Sequence, residues 1–191
     1  MILQWISKFA LYSGSWDKFR LIGTQLISIS LLFFLPLPTS AINLAVLEFE
    51  LNDLTLNPNL VEESERTATL RLLLAEQFTV HYNITVIANP PSARVEAGKG
   101  QGYLFDRPAL VAKIGREIGV DWIVFGRLHK ASFLFVYLKA QLIDTQTDQI
   151  AADFVVEIKG PQKKLTKKGI ESLARQINAA LETLAPNSFN K

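Results

Sequence analysis

Residues 115–159 read GREIGVDWIVFGRLHKASFLFVYLKAQLIDTQTDQIAADFVVEIK, and the succession of patterns inside them decides the fold class. Gly119 stops a helix, and Asp121 opens a strand that runs from Asp121 to Leu128. That strand is apolar at Trp122, Ile123, Val124 and Phe125 in succession. A continuous apolar run suits a strand covered on both faces. The two runs that follow alternate, as half-buried strands do. In Phe133–Asp144 the even positions are Leu134, Val136, Leu138, Ala140 and Leu142; in Ile150–Lys159 they are Ile150, Ala152, Phe154, Val156 and Ile158. Residues two apart share one face of a pleated strand, so both even sets are expected on one core. Joining them with like parity requires an odd loop, Thr145-Gln146-Thr147. Leu142 then faces Ile150, Leu138 faces Phe154, and Lys139 faces Asp153 as a cross-strand charge pair. A slip of one residue would bury Glu157 and Lys159, so the choice of face is strongly specified.

The rest of the chain supplies a parallel half to this sheet. Ile42–Leu51 (INLAVLEFEL) is a strand, apolar from Leu44 to Leu47, after which Glu48 and Glu50 are expected on one face and Phe49 and Leu51 on the other. Asn52-Asp53 ends it. Asn59 is an N-cap with Glu62 three residues on, and Glu62, Glu63 and Glu65 suit the positive end of a helix dipole. That helix runs to about Val80 and buries Leu70, Leu73, Leu74 and Phe78. Ile84–Ala88 is a short β-branched strand, and a helix between two strands makes a crossover, so these two strands are parallel. Asn89 to Asp106 reads as a long loop with Pro90, Pro91, Gly98, Gly100 and Gly102. Asp106 can cap a helix Pro108–Ile118 with a weak apolar face of Ala109, Ala112, Ile114 and Ile118. A last helix, about Gln162–Leu184, carries a full stripe: Ile170, Leu173, Ala174, Ile177, Leu181 and Leu184. The expectation is a single α/β domain over 42–186, ordered β-α-β-α-β-β-β-α. It has a mixed sheet, a carboxyl-terminal antiparallel hairpin and packing helices, with 187–191 as a tail.

Residues 1–41 read as a signal peptide. Lys8, Lys18 and Arg20 precede the apolar run Leu21–Leu37, and Thr39-Ser40-Ala41 supplies small residues at −3 and −1. The run is short for a spanning helix, which needs about 20 apolar residues, and two prolines end it. The alternative is an uncleaved amino-terminal anchor. Cleavage leaves no membrane span, and the domain is expected in the periplasm in either case. The chain has no Cys, so it has no lipobox, disulfide, thiolate metal site or Cys nucleophile. Residues 1–41 hold three of the 20 basic residues and one of the 18 acidic ones, so the remainder, with 17 of each, carries no net charge. That argues against nucleic acid as a partner.

Ala45-Val46-Leu47-Glu48-Phe49 with Asn52-Asp53, then Ala112–Gly126 (AKIGREIGVDWIVFG), then Leu142-Ile143-Asp144, resembles an uncharacterised bacterial envelope family of domains of unknown function. The likeness covers roughly 42–180. More distantly, the chain is similar to the TolB amino-terminal domain and to the curli secretion lipoprotein family. The resemblance implies a periplasmic α/β domain that assembles with other envelope components, and it transfers no catalytic residue. One departure is the lack of the cysteines that relatives carry just before the second helix.

Candidate sites divide into two groups. Glu48, Glu50 and Asp53 lie at the carboxyl end of a parallel strand, where open α/β sheets place ligands; the plainer reading is solvated strand-end acids. Phe133, Phe135 and Tyr137 share the hairpin face opposite the core ladder. Either the second helix or the long loop covers them, or they form a protein-binding patch. Lys163 and Lys164, with Lys167 and Lys168, crowd the start of the last helix against its dipole; they are a solvated basic end or a contact for anionic lipid, the sugar-phosphate envelope or an acidic partner. His81 and His129 lack further ligands at metal spacing. Gly98-Lys99-Gly100-Gln101-Gly102 stands apart from strand and helix, unlike a phosphate cradle. Asp144 and Asp148 suit turn chemistry better than a calcium loop. No catalytic residue, cofactor or metal is assigned. The expected function is a non-enzymatic interaction module of an envelope complex, accessory or assembly in role, with self-association left open. The alternatives are a small-ligand binder at the strand ends and the 89–107 loop, or an enzyme of unknown type.

Overall fold

A computed structural model describes residues 42–56, 60–132, 134–159 and 162–186, apart from the side chains at 60 and 162–165. The leader, the Asn59 cap, Phe133, the Lys163 and Lys164 side chains and the 187–191 tail lie outside these described residues. Among them the chain forms β1 (Asn43–Val46), β2 (Glu50–Asp53), α1 (Leu60–His81), β3 (Thr85–Ile87), α2 (Pro91–Ala97), α3 (Pro108–Glu117), β4 (Trp122–Lys130), β5 (Phe135–Asp144), β6 (Gln149–Lys159) and α4 (Gln162–Leu184). The strands make one mixed sheet in the order β3-β1-β4-β5-β6, with β2 continuing beside β4. β1 is parallel to both β3 and β4, and β4, β5 and β6 run antiparallel in turn. The predicted single α/β domain with a mixed sheet is thus present, with two additions: a divided first strand and the helix α2 inside the 89–107 segment.

The divided strand has a sequence cause. Val46 pairs with Val124 but Glu50 pairs with Arg127, so the first strand holds one residue more than β4 across the break, a β-bulge. Within the bulge Leu47 still donates its N–H to the Val124 carbonyl at 2.9 Å. Phe49 lays its ring across Gly126, where an added Cβ would meet the ring at 2.2 Å. A side chain at 126 would therefore displace the residue that fills the bulge.

Two cores flank the sheet. On one face α1 supplies Leu70, Leu74 and Phe78 and α4 supplies Ile170, Leu173, Ala174, Ile177 and Leu181, all buried against Leu44, Val46, Val124, Leu138, Leu142, Val156 and Ile158. These are the stripes expected from their three-and-four spacing, except that Leu184 is exposed and Leu73 half-buried. Gly169 allows α4 its close approach, since a Cβ there would lie 2.8 Å from Ile158. On the other face α2, α3 and the segment around Leu104 cover Ala45, Leu47, Ile123, Phe125 and Ile143. Ile123, Val124 and Phe125 are fully buried, as a strand covered on both sides requires.

The hairpin keeps the expected parity and changes register by two. Leu138 faces Val156, Ala140 faces Phe154, and Lys139 faces Val155, leaving Asp153 opposite Gln141. The loop is not the odd Thr145–Thr147 turn. Asp144 pairs with Gln149 around a four-residue loop, and a bulge beside Leu142 and Ile143 restores the parity. Asp144 Oδ1 accepts from the Gln146 N–H at 2.8 Å, and Asp148 takes a positive φ of 61°. Thr145 donates its hydroxyl to the Val120 carbonyl at 2.7 Å, and Arg116 of α3 bonds both the Thr145 carbonyl and Asp148. Beyond the bulge Ile150 packs on the second core, not the first, and Leu134, ahead of β5, is exposed.

Candidate functional site

The three strand-end acids are separated, each with its own cation. Glu48 and Glu50 do not share a face, because the bulge falls between them. Glu48 Oε1 accepts from Arg71 Nε of α1 at 2.9 Å. Glu50 turns to the opposite side, where its Oε2 accepts from Arg127 Nη2 at 2.8 Å, Arg127 Nε at 3.1 Å and the Gly102 N–H at 3.2 Å. Arg127 lies 4.2 Å from the centre of the Phe105 ring, which orients its fork toward Glu50. Asp53 Oδ1 accepts from both the N–H and the hydroxyl of Thr55, and Lys130 Nζ stands 3.2 Å from its Oδ2.

Lys130 begins a buried chain of charge. Its ammonium also meets Glu63 Oε1 at 3.1 Å, Glu63 Oε2 meets Arg66 Nη1 at 3.2 Å, and Arg66 Nε donates to the Thr166 hydroxyl of α4 at 2.9 Å. Two acids and two bases balance, so no net charge is buried. Burial by itself raises the Asp53 carboxyl, but the Thr55 hydrogen bonds and Lys130 outweigh it and hold it below the usual carboxylate range. Burial likewise lowers Lys130, and Glu63 and Asp53 outweigh it and leave it above the ordinary lysine value. Both groups are held charged, which suits a structural clamp between β2, β4 and α1 and makes neither a proton-transfer group at neutral pH.

The glycine-rich segment closes over this end of β2. Gln101 Nε2 donates to the Leu51 carbonyl at 2.8 Å and reaches Asn52 Oδ1 at 3.2 Å, while Lys99 pairs with Glu96. Gly100 and Gly102 hold positive φ values of 153° and 78°. Between this segment and the strand end is a cleft of about 520 Å³, bounded by Glu48, Glu50 and Asp53 on one side and by Ala97, Gly98 and Gln101 on the other. Glu50 Oε1 is buried there without a hydrogen-bond partner.

Among the described residues no helix covers Phe135 and Tyr137. On the face opposite α4, Phe135 is 39% exposed and Val155 is 57% exposed, with Tyr137 half-buried between them and His129. Lys159 Nζ stands 5.6 Å from the Phe135 ring centre, the Tyr137 hydroxyl reaches Glu157 at 3.3 Å, and the His129 and Tyr137 rings are 6.2 Å apart. Burial, then Lys139 and Arg127, hold His129 below the ordinary histidine value, so its ring is neutral at pH 7. In that form Nδ1 accepts from the Asn52 amide at 3.1 Å. Phe135 and Tyr137 are thus brought together as their parity predicts. The sequence reading did not place His129, Val155 or Lys159 in this surface, although each lies opposite a named residue or beside one in the ladder. His81 ends α1 in solvent, and among the described residues no three His, Asp or Glu side chains group to hold a metal.

Residues 42–177 match a protein family described as "Protein of unknown function (DUF2380)". The chain belongs to this family, DUF3280. No curated protein matches the sequence. Among solved structures the DUF3280 chain is similar to the hypothetical protein CT253 from Chlamydia trachomatis, at 9% identity and a TM-score of 0.55, over 74% of this chain and 99% of that one. It is also similar to lipoprotein GNA1162 from Neisseria meningitidis, at 14% identity and a TM-score of 0.45, over 71% and 95% of the two chains. A third likeness is to TolB from Acinetobacter baumannii, at 14% identity and a TM-score of 0.43, over 78% of this chain and 29% of that one. At these identities the likeness is one of fold. The sequence reading expected a family of domains of unknown function, and the family match agrees.

Proposed function

We propose that this protein is a non-enzymatic interaction module, exported to the bacterial periplasm, that works as an accessory or assembly component of an envelope complex. The observation that carries the reading is the open hairpin face. Phe135, Tyr137 and Val155 form an aromatic and apolar surface beside the basic Lys159, on strands whose other face is sealed by α4. Rigid strands present such anchors at low entropic cost, and aromatic residues are the ones enriched at binding hot spots. The leader pattern in residues 1–41 supports export, with the mature chain starting at Ile42. Lys163 and Lys164 at the start of α4 would add electrostatic steering toward an acidic partner. The test is in-cell crosslinking of the full chain in its native envelope. A Phe135→Ala, Tyr137→Ala double variant with an unchanged circular dichroism spectrum is expected to lose a crosslinked partner that wild type captures. Retention of every partner would sink the reading.

A second reading rests on Glu50 Oε1, which lacks a partner at the edge of the 520 Å³ cleft. A small cationic ligand would complete its hydrogen bonding. Raised melting temperatures with a panel of amines, lost in Glu50→Gln, would favour this ligand-binding role.

A further inference from the structure

Among the described residues β6 ends the sheet, and nothing pairs with its outer edge. It is the longest strand, 11 residues from Gln149 to Lys159, and contains neither Pro nor Gly. Its bulge lies at the turn end, so the stretch Asp153–Lys159 is regular. An edge of this length presents a row of free N–H and C=O groups, and soluble proteins rarely leave one unprotected. The inward residues of β6 form the rim of the α4 core: Phe154, Val156 and Ile158 keep 8%, 8% and 5% exposure, whereas Leu138 and Leu142 on β5 keep none.

The sequence of this edge is complementary to itself in charge over seven residues in one register. Two copies of β6 paired antiparallel about a two-fold axis through Val156 set Asp153 of each opposite Lys159 of the other. Val155 then meets Glu157 on the same face. On the inner face Phe154 meets Ile158 and Val156 meets Val156, so the two α4 cores join as one apolar layer. Centring the axis on Val155 would instead place Asp153 opposite Glu157 twice, and centring it on Glu157 would place Glu157 opposite itself. Centring it on Ile158 also sets Glu157 opposite Lys159, but pairs only residues 157–159 of each β6. Opposite charges directly across strands are favourable and like charges unfavourable, so charge and length of pairing together select the Val156 register. The exposed Lys159–Glu157 pair within one strand is the contact given up, and such pairs contribute little.

We infer that the β6 edge is the site at which a second copy of this chain binds, by antiparallel β6–β6 pairing centred on Val156. The result is an isologous dimer with a continuous sheet of both copies. It also places the two open aromatic faces side by side, although the inference does not depend on what those faces bind.

The absence of cysteine makes the register directly testable. Cells co-expressing full-length Asp153→Cys and Lys159→Cys copies are treated with a short bismaleimide. The expected product is a crosslinked heterodimer from the mixture and little from Asp153→Cys alone. In the proposed register the two introduced thiols of an Asp153→Cys dimer are six positions apart, about 20 Å at roughly 3.3 Å per residue. In parallel, sedimentation of the purified full chain should show a dimer. Lys159→Asp should weaken it about tenfold or more, and the swapped Asp153→Lys, Lys159→Asp variant should restore it. A monomeric wild type at every concentration, or crosslinking equal in the mixture and in Asp153→Cys alone, would overturn the inference. So would a swap that fails to restore what the single reversal removes.

Discussion

On one face of the hairpin Leu138 and Leu142 are inaccessible to solvent; on the other face of the same strands Phe135 and Val155 keep 39% and 57% exposure. The two faces differ in the length of helix laid over them. α4 has 23 residues and spans roughly 35 Å at about 1.5 Å per residue, a match for the 11 residues of β6. α3 has 10 residues and spans roughly 15 Å, so it covers only the turn end of the hairpin and the centre of the sheet. Arg116 ties it there by bonding Thr145 and Asp148. Among the described residues the open face is therefore a matter of geometry: one short helix cannot seal strands of this length.

The largest test of the contrast concerns charge. Lys130 is on the sealed side, 2% exposed, and balances Asp53 and Glu63. Lys130→Met would leave the buried Asp53 carboxylate without its cation and Glu63 with Arg66 alone, and should cost about 3–5 kcal/mol in urea unfolding. Lys159→Met, on the open side, should cost less than about 1 kcal/mol. Similar small losses would mean that the buried chain of charge contributes little and that the two sides do not differ in this respect.

The second test concerns packing. Leu138→Ala should open a cavity and cost about 2–5 kcal/mol. Phe135→Ala, on the open face of the same strand, should cost about 1 kcal/mol or less, since half-exposed positions lack a surrounding cavity to create. Equal losses would show Phe135 to be a core residue and would remove the basis for a free aromatic surface.

The third test sits at the break in the first strand. Gly126→Ala would bring a Cβ to within 2.2 Å of the Phe49 ring. The ring must shift to relieve that overlap, so a cost of about 1–3 kcal/mol is expected. A second substitution, Phe49→Leu, should recover part of it, because it removes the overlapping atoms.

These contrasts show which parts of the fold were legible in the sequence. Faces were legible, because parity and three-and-four spacing determine them without reference to a partner: Leu138, Val156, Leu70 and Ile177 all lie where period alone puts them. Registers and bulges were not, because they depend on contacts between distant segments. The hairpin shifted by two residues because Asp144, Asp148 and Arg116 stabilise a four-residue loop, and α3 supplies that arginine from outside the hairpin. The first strand broke at Phe49 because Gly126, far along the chain on β4, leaves room for its ring. The candidate acids were correctly read as the end of a parallel strand, but their cations come from α1 and β4. Pairing of this kind is invisible to a reading of the strand alone.

The smallest expected effect is on pH, at the border between the covered and open halves. His129 lies beside Tyr137 with its Nδ1 accepting from Asn52, and burial, then Lys139 and Arg127, hold it below the ordinary histidine value. In the unfolded chain the ring titrates near 6.5. Between that value and the lower folded one, the unfolded chain binds a proton that the folded chain refuses. Stability from this residue is therefore full above about pH 6.5 and falls as pH drops through and below it. Asp53 works in the same direction but in a lower window: its depressed carboxyl gives stability that is present above about pH 3.9 and lost as pH falls further. Urea unfolding at pH 7 and pH 5.5 separates the two. His129→Gln keeps an acceptor for the Asn52 amide and removes the titration, so the variant should lose less stability than wild type over this interval. Addition of salt should shrink the difference, because Lys139 and Arg127 contribute by charge, while the part due to burial should persist. A variant that tracks wild type across the interval would show that the ring is as free to take up a proton in the folded protein as in the unfolded chain. The open half of the sheet would then extend to β4, and Tyr137 would mark its middle instead of its border.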